Sequence, residues 1–300
     1  MGSLFLFGAG ASAHSGECLP EPPPLGRDLF DKLKIRRGVA ASVDPSLADV
    51  FRRDFEVGMA RFREERDQDT LLFLREMADF FTQFVPTEQN YYVTLLKHLA
   101  KTKHHTTIAT LNYDLLIELS ASMVGYRYEY DVSRSFSNSL PVLKLHGSCN
   151  FLPNTGNLDI RDCTFTHVRA AFDGPLRKLV TPREASKYCR SERSPLAPAM
   201  ALYAKGKDVL VSPSHIQEQH VSFKKACERA TRIYVIGVAV NPLDTHVWNP
   251  LAAGSGSLYY VGPDKAPFLE WADSVQRRKI VHLSASFADA LPMIRRQVGW

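Results

Sequence analysis

Four short stretches of the chain place glycines or polar residues just where an apolar run ends. Residues 8–13 read G-A-G-A-S-A and fit G-x-G-x-x-A. The glycines of that pattern permit a tight turn and let backbone N–H groups approach a pyrophosphate at a helix start. Alone, the match is equally that of a turn after a buried strand. Residues 110–114 read T-L-N-Y-D, and residues 144–148 read K-L-H-G-S. The fourth stretch, Y-V-I-G-V at 234–238, runs on to Asn241-Pro242-Leu243-Asp244. In these turns His146 can take a proton near neutral pH, since an imidazole has a pKa of about 6.5. It alone of the ten histidines sits in such a motif, although a lone histidine can also be a satisfied core residue. Asn112 can orient a water or a hydroxyl through its amide, or cap a helix, a position asparagine favours. Asp114 can accept a hydrogen bond or serve the first turn of a helix. Asp244 can reach a ribose or cap the helix after Pro242.

Such turns work only if a scaffold brings them to one edge. Apolar runs at residues 4–7, 107–111, 142–145, 209–211, 233–236, 258–261 and 280–283 lack polar alternation in several cases, as strands buried on both faces do. Helical patterns at 115–123, 223–230 and 287–298 lie among them. This alternation predicts one α/β domain over residues 1–300, a Rossmann-like doubly wound parallel sheet. In such sheets ligands bind beyond the carboxyl ends of the strands, where all four turns would gather. Two segments break the rhythm. Residues 18–26, with Pro20, Pro22, Pro23 and Pro24, must be extended. Residues 27–105 then form a mostly helical insertion, in which Asp69-Thr70 caps a helix whose buried face holds Leu71, Leu74, Ala78, Phe81 and Val85. Residues 150–206, rich in proline and glycine, form a small irregular subdomain.

Composition narrows the functions. With 45% apolar and 23% charged residues, the chain is an ordinary globular one. Residues 4–16 are no secretion signal, lacking a basic start and interrupted by glycine. No apolar run is long enough to span a bilayer. The five cysteines are dispersed without a C-x-x-C pair, as reduced cytosolic thiols are. His146, Cys149, Cys163 and His167 lack the spacing of a metal site. A net charge of +5, spread over mixed clusters, gives no nucleic-acid motif. A dehydrogenase is also disfavoured. Its glycine turn leads to a strand ending in an acid some ~20 residues on. Here prolines fill that interval, and Asp28 and Asp31 lie in a helical pattern.

In this order the stretches resemble the sirtuin family. G-A-G-A-S is similar to its G-A-G-x-S loop, T-L-N-Y-D to T-x-N-x-D, and L-H-G to its catalytic histidine motif. Val211-Ser212-Pro213, Ile236-Gly237 and Val261-Gly262 follow in the order of its later cofactor segments. The likeness runs from residue 4 to about residue 262, skipping the two insertions. One departure is plain. Sirtuin deacylases carry a four-cysteine zinc module after the histidine motif, whereas Cys163 and Cys189 stand alone here. In this the chain resembles the zinc-free branch of bacterial antiphage systems, such as Thoeris effectors and partners of HerA-type ATPases, which hydrolyse NAD. Residues 24–29, P-L-G-R-D-L, are similar to that branch's segment after the glycine loop.

The resemblance implies that NAD is the substrate and that no metal takes part. Gly8, Ala9, Gly10 and Ser12 would then cradle the pyrophosphate, with Gly237, Asp244 and Gly262 completing the nucleotide site. Asn112 would position water and ribose, His146 would be the general base, and Asp114 would accept from the nicotinamide carboxamide. The expected protein is a cytoplasmic NAD glycohydrolase that depletes the cofactor in antiphage defence. Oligomerisation or a HerA-type ATPase partner would restrain it, with no membrane and no sequence-specific nucleic acid involved. Two other readings stay open: an NAD-dependent protein deacylase, and a non-catalytic subunit that binds NAD or ADP-ribose. Trp248, Trp271 and Trp300 are expected in packing or interfaces.

Overall fold

The computed structural model describes residues 2–102, 104–131, 139–156, 172–194, 196–201 and 209–298. The first strand, β1 (Gly2–Phe7), is apolar from Leu4 onward and leads through Gly8 into the single-turn helix α1 (Ala9–Ala13). A two-residue strand, β2 (Cys18–Leu19), follows, and the chain then bends at Pro20 and Glu21 and reaches α2 (Gly26–Ile35) through an extended Leu25. Helices α3 (Pro45–Arg53) and α4 (Phe55–Glu65) start at side-chain caps. The Asp44 carboxylate accepts from the N–H groups of Ser46 and Leu47, and Asp54 from those of Glu56 and Val57. Next come α5 (Thr70–Phe81), β3 (Val85–Pro86) and α6 (Tyr91–Thr102). The helices α2 to α5 close on an aromatic core in which Phe30 stacks on Phe51 at 4.5 Å and Phe62 meets Phe73 edge-on at 5.0 Å.

Two details of this region differ from the pattern in the sequence. Asp69 precedes α5 but makes no side-chain cap, its backbone already being helical; its carboxylate accepts from Arg66 instead. Val85 is not on the α5 face. The helix ends at Phe81, and Val85 is exposed in β3, paired with Leu19. Hydrophobic spacing cannot register where a helix stops.

The remaining elements are β4 (Thr106–Thr110), α7 (Leu116–Met123), β5 (Tyr128–Glu129), β6 (Leu140–Lys144), β7 (Leu152–Pro153) and β8 (Leu176–Arg177). Then follow α8 (Pro182–Arg190), α9 (Pro213–Arg229), β9 (Ala230–Ile236), α10 (Thr245–Ala253), β10 (Ser257–Val261), α11 (Lys265–Ser274), β11 (Ile280–Ser284) and α12 (Phe287–Val298). The helix α8 sits where an irregular segment was expected. Pro182 occupies its first turn, where a missing N–H costs nothing, and Thr181 and Glu184 form a capping box. It docks on α5: Arg75 donates to the Cys189 carbonyl at 2.7 Å, and the buried Asp79 carboxylate takes Arg36, Ser186 and Arg190. Residues 209–211 form no strand of the main sheet. Val209 and Val211 make only isolated bridges, to Ala201 and Phe172, because three apolar residues are here anchored by separate loops. The helix expected at 223–230 begins ten residues earlier, at Pro213, and Ala230 already belongs to β9.

Seven strands form one parallel sheet in the order β11-β10-β9-β1-β4-β6-β5. This is the expected doubly wound α/β architecture, with β5 as an added edge too short to leave a sequence signal. Alternate residues of β1 face opposite layers. Phe5 and Phe7 pack with residues of α6, α7 and α12, whereas Leu4 and Leu6 pack with residues of α9, α10 and α11. Trp248 and Trp271 meet at 4.6 Å inside the second layer, while Trp300 lies outside the described residues. Among the described residues no helix is long and apolar enough to cross a membrane. The winding reverses between β1 and β9, which is the switch point of the sheet.

Candidate functional site

Strand register delivers the site. Phe7 is level with Thr110, and Thr110 with Lys144. Gly8 therefore stands one residue past the ladder on β1, while Asn112 and His146 each stand two residues past it on neighbouring strands. Adjacent strands lie about 4.8 Å apart, so the two motifs emerge side by side.

The glycine turn is held from two directions. On the β9 side, Gly10 N–H donates to the Gly237 carbonyl at 2.9 Å, and Gly8 N–H to that of Ile236 at 3.0 Å. A Cβ on Gly237 would lie 2.0 Å from Ala11 N, and its φ is +63°, so no other residue fits there. On the β4 side, the Asn112 amide nitrogen donates to the Gly8 carbonyl and to Ser12 Oγ, both at 2.9 Å. Asn112 is thus no helix cap. The helix α7 begins only after Leu115, and the asparagine clasps the turn. The Gly10 N–H, expected to face a phosphate, is spent on Gly237, and Ala9 is exposed.

Beneath the clasp lies a residue without any sequence signal. The Tyr92 hydroxyl of α6 is 3.2 Å from Ser12 Oγ, and burial pushes its pKa well up, keeping it a neutral hydroxyl. Ala9, Ser12, Asn112 and Asp114 line a cleft of about 30 Å³, whose other wall includes Pro23, Pro24 and Leu29. The proline stretch is therefore part of the site.

Asp114 is almost fully buried, and its Oδ1 accepts from Leu116 N–H at 3.1 Å. Desolvation raises its pKa, against the opposing pull of Lys144. A raised folded pKa means that the unfolded chain gives up this proton first as pH rises. Stability is therefore lost from the unfolded carboxyl range of about 4 upward. Asp114→Asn keeps the acceptor and removes the charge. It is expected to be more stable than wild type in urea unfolding at pH 7, with the gain fading as pH falls toward 4. A variant less stable at pH 7 would show that the carboxylate is structural.

His146 does not line that cleft. Its main chain is clamped by residues 199–201, with Ala201 N–H on the His146 carbonyl at 2.8 Å and Ser148 N–H on that of Ala199 at 3.0 Å. Gly147, with φ +79°, would place a Cβ 2.0 Å from the Ala199 carbonyl oxygen, so L-H-G needs its glycine. The ring Nε2 lies 2.9 Å from Nε2 of His246, in the first turn of α10. His246 escaped sequence reading, although it stands two residues after the Asp244 already singled out. Asp244 heads α10 through its carbonyl, which accepts from Val247 and Trp248, and makes no side-chain cap. Gly262 is buried at the end of β10, its carbonyl accepting from His282 at 2.9 Å.

The thiols of the described residues, Cys18, Cys149, Cys189 and Cys227, are all free and buried. Burial pushes Cys18 up to about 11 and Cys189 to about 12, and raises Cys149 and Cys227 as well. These thiols sit on separate elements, and no described group of His, Cys, Asp and Glu could hold a metal ion. They do not fit a four-cysteine zinc module. Cys163 and His167 lie outside the described residues.

No family model matches the sequence, and no curated protein matches it. Solved structures do. The chain is similar to a mutant Sir2 with a p53 peptide and NAD, at 16% identity and TM-score 0.50, over 99% of this chain and 91% of that one. It is likewise similar to Sir2Tm bound to a propionylated peptide, at 17% identity and TM-score 0.50, over 98% and 91%. At these identities the likeness is one of fold: the sheet and its helices are sirtuin-like.

Proposed function

We propose that this chain hydrolyses NAD to nicotinamide and ADP-ribose. The observation that carries the reading is the level placement of Asn112 and His146 on adjacent strands, beside a cleft lined by Ala9, Ser12 and Asp114. One Sir2 structure of the same fold holds NAD. The bond to be broken joins C1′ of the ribose to a nicotinamide nitrogen that is already positive. Its electron pair returns to the ring, so the leaving group needs no acid. The site must instead orient the ribose, supply a water and take one proton. His146 takes it as water oxygen bonds to C1′. Asn112 holds the glycine turn against the ribose and pyrophosphate, and Asp114 accepts from the carboxamide. Gly8, Ala9, Gly10, Ser12, Gly237, Asp244 and Gly262 complete the nucleotide site. Because the cleft is far smaller than a ligand-sized pocket of roughly 300 Å³, the Pro23-Pro24 wall shifts when nicotinamide enters.

In this reading the chain is a cytoplasmic, NAD-depleting effector of antiphage defence, restrained by self-association or by a HerA-type ATPase. The alternative, peptide deacylation, draws on the peptides in the similar Sir2 structures. The dispersed cysteines of the sequence, with no C-x-x-C pair for a zinc module, weigh against it. The test is release of nicotinamide and ADP-ribose by the purified chain, without acyl peptide, at several protein concentrations. Equimolar products are expected. Turnover only with an acyl peptide would establish the deacylase, and tight NAD binding without turnover the binding subunit.

A further inference from the structure

Three imidazoles converge behind the strand end that bears His146. The His146 and His246 Nε2 atoms are 2.9 Å apart, and the His246 ring lies 4.5 Å from that of His220 on α9. His220 Nε2 is 2.8 Å from the Leu145 carbonyl, an acceptor only, so this nitrogen carries the proton. That bond fixes His220 as a platform beside His246. The other side of His246 faces a groove of about 390 Å³ between α9 and α10, lined also by His220, Lys224, Thr245 and Asn249.

Two Nε2 atoms that meet at hydrogen-bond distance hold one proton between them, one donating and the other accepting. We propose that His246 is the proton outlet of His146, a positioning and relay residue; this rests on the hydrolase reading above. With Nε2 of His146 given to His246, the proton of the attacking water enters at the other ring nitrogen of His146. The Nε2 proton then crosses to His246 Nε2, so His146 ends neutral and His246 ends as imidazolium. Water oxygen has meanwhile bonded to C1′, and the C1′–N electron pair has gone to nicotinamide. His246 sits in the first turn of α10, where the helix dipole disfavours a cation, so the imidazolium sheds its proton into the groove. The titratable groups around it are His146 at the end of β6, His220 and Lys224 on α9, and Asp244 at the head of its own helix. Lys224, a neighbouring positive charge, disfavours the imidazolium further.

The experiment compares wild type, His246→Gln, His246→Ala and His146→Ala in NAD hydrolysis across pH 5.5 to 9. Thermal unfolding checks each fold. Glutamine can hydrogen-bond His146 but cannot carry a proton. The relay predicts that both His246 variants lose about 10²-fold in kcat with KM unchanged, and that added imidazole restores His246→Ala. A His246→Gln variant with wild-type kcat overturns the relay, and inactivity of His146→Ala beside it leaves the hydrolase reading standing. If wild type releases no nicotinamide, the hydrolase reading fails instead. Spectra of the ¹⁵N-histidine-labelled chain then judge the pair: coupled titration of His146 and His246 supports a shared proton, and independent titration overturns it.

Discussion

His146→Ala is expected to lower kcat for NAD hydrolysis by about 10²- to 10⁴-fold, the usual worth of a positioned general base. KM should hardly move, because the side chain lies outside the cleft of Ala9, Ser12 and Asp114. The fold should survive. The substitution removes the ring contact with His246, while the main-chain clamp of residues 199–201 on residues 146–148 remains. Asn112→Ala should behave differently. It deletes two donated bonds, leaving the Gly8 carbonyl and Ser12 Oγ without that donor, at about 1–3 kcal/mol of stability. Since those bonds shape the glycine turn, NAD affinity should fall together with kcat. Steady-state kinetics with chromatographic detection of nicotinamide separates the two patterns. Undiminished hydrolysis by His146→Ala would remove the base from the mechanism.

The sheet was legible chiefly through its central strands, which are buried on both faces. β1 is buried from Ser3 to Phe7, and its unbroken apolar run from Leu4 is the signature of that state. The turns were legible for the same reason, since each follows directly on such a run. What stayed hidden depends on contacts between residues far apart in the chain. Asn112 and Ser12 are 100 residues apart, as are His146 and His246. The first pair was found because both members lie in motifs; His246 was not, because nothing local marks it. Tyr92 looks like any aromatic residue on the buried face of a helix. Pro182 misled for the opposite reason: proline breaks a helix interior but suits its first turn, and spacing alone does not say which applies. Residues 209–211 show the limit for short runs, which a buried bridge satisfies as well as a strand.

Lys144→Met is expected to destabilise the fold by about 3–5 kcal/mol, the cost of leaving a buried charge without its partner. Lys144 has no exposed side-chain surface and Glu118 almost none, and their charged atoms are 3.2 Å apart. Glu118 Oε1 also accepts from the Tyr130 hydroxyl at 3.0 Å, which in turn accepts from Asn150. With the ammonium gone, the carboxylate keeps, among the described residues, that neutral donor on Oε1 and no partner on Oε2. Glu118→Gln in the same chain should recover a large part of the loss, because the residual charge is then removed as well. Urea unfolding of both single variants and the double variant gives the coupling directly. A loss below about 1 kcal/mol would mean that the pair contributes no more than an exposed one. The ammonium does more than neutralise Glu118. It donates to the Asp114 carbonyl at 2.7 Å, from a strand position two residues before His146. The same side chain therefore ties the T-L-N-Y-D turn to the K-L-H-G-S strand. Activity per folded molecule should fall in Lys144→Met even where the variant is fully folded, and Glu118→Gln should not restore it, since the tie to Asp114 is still missing. That separation of stability from activity would show that the buried cation holds the two motifs in register.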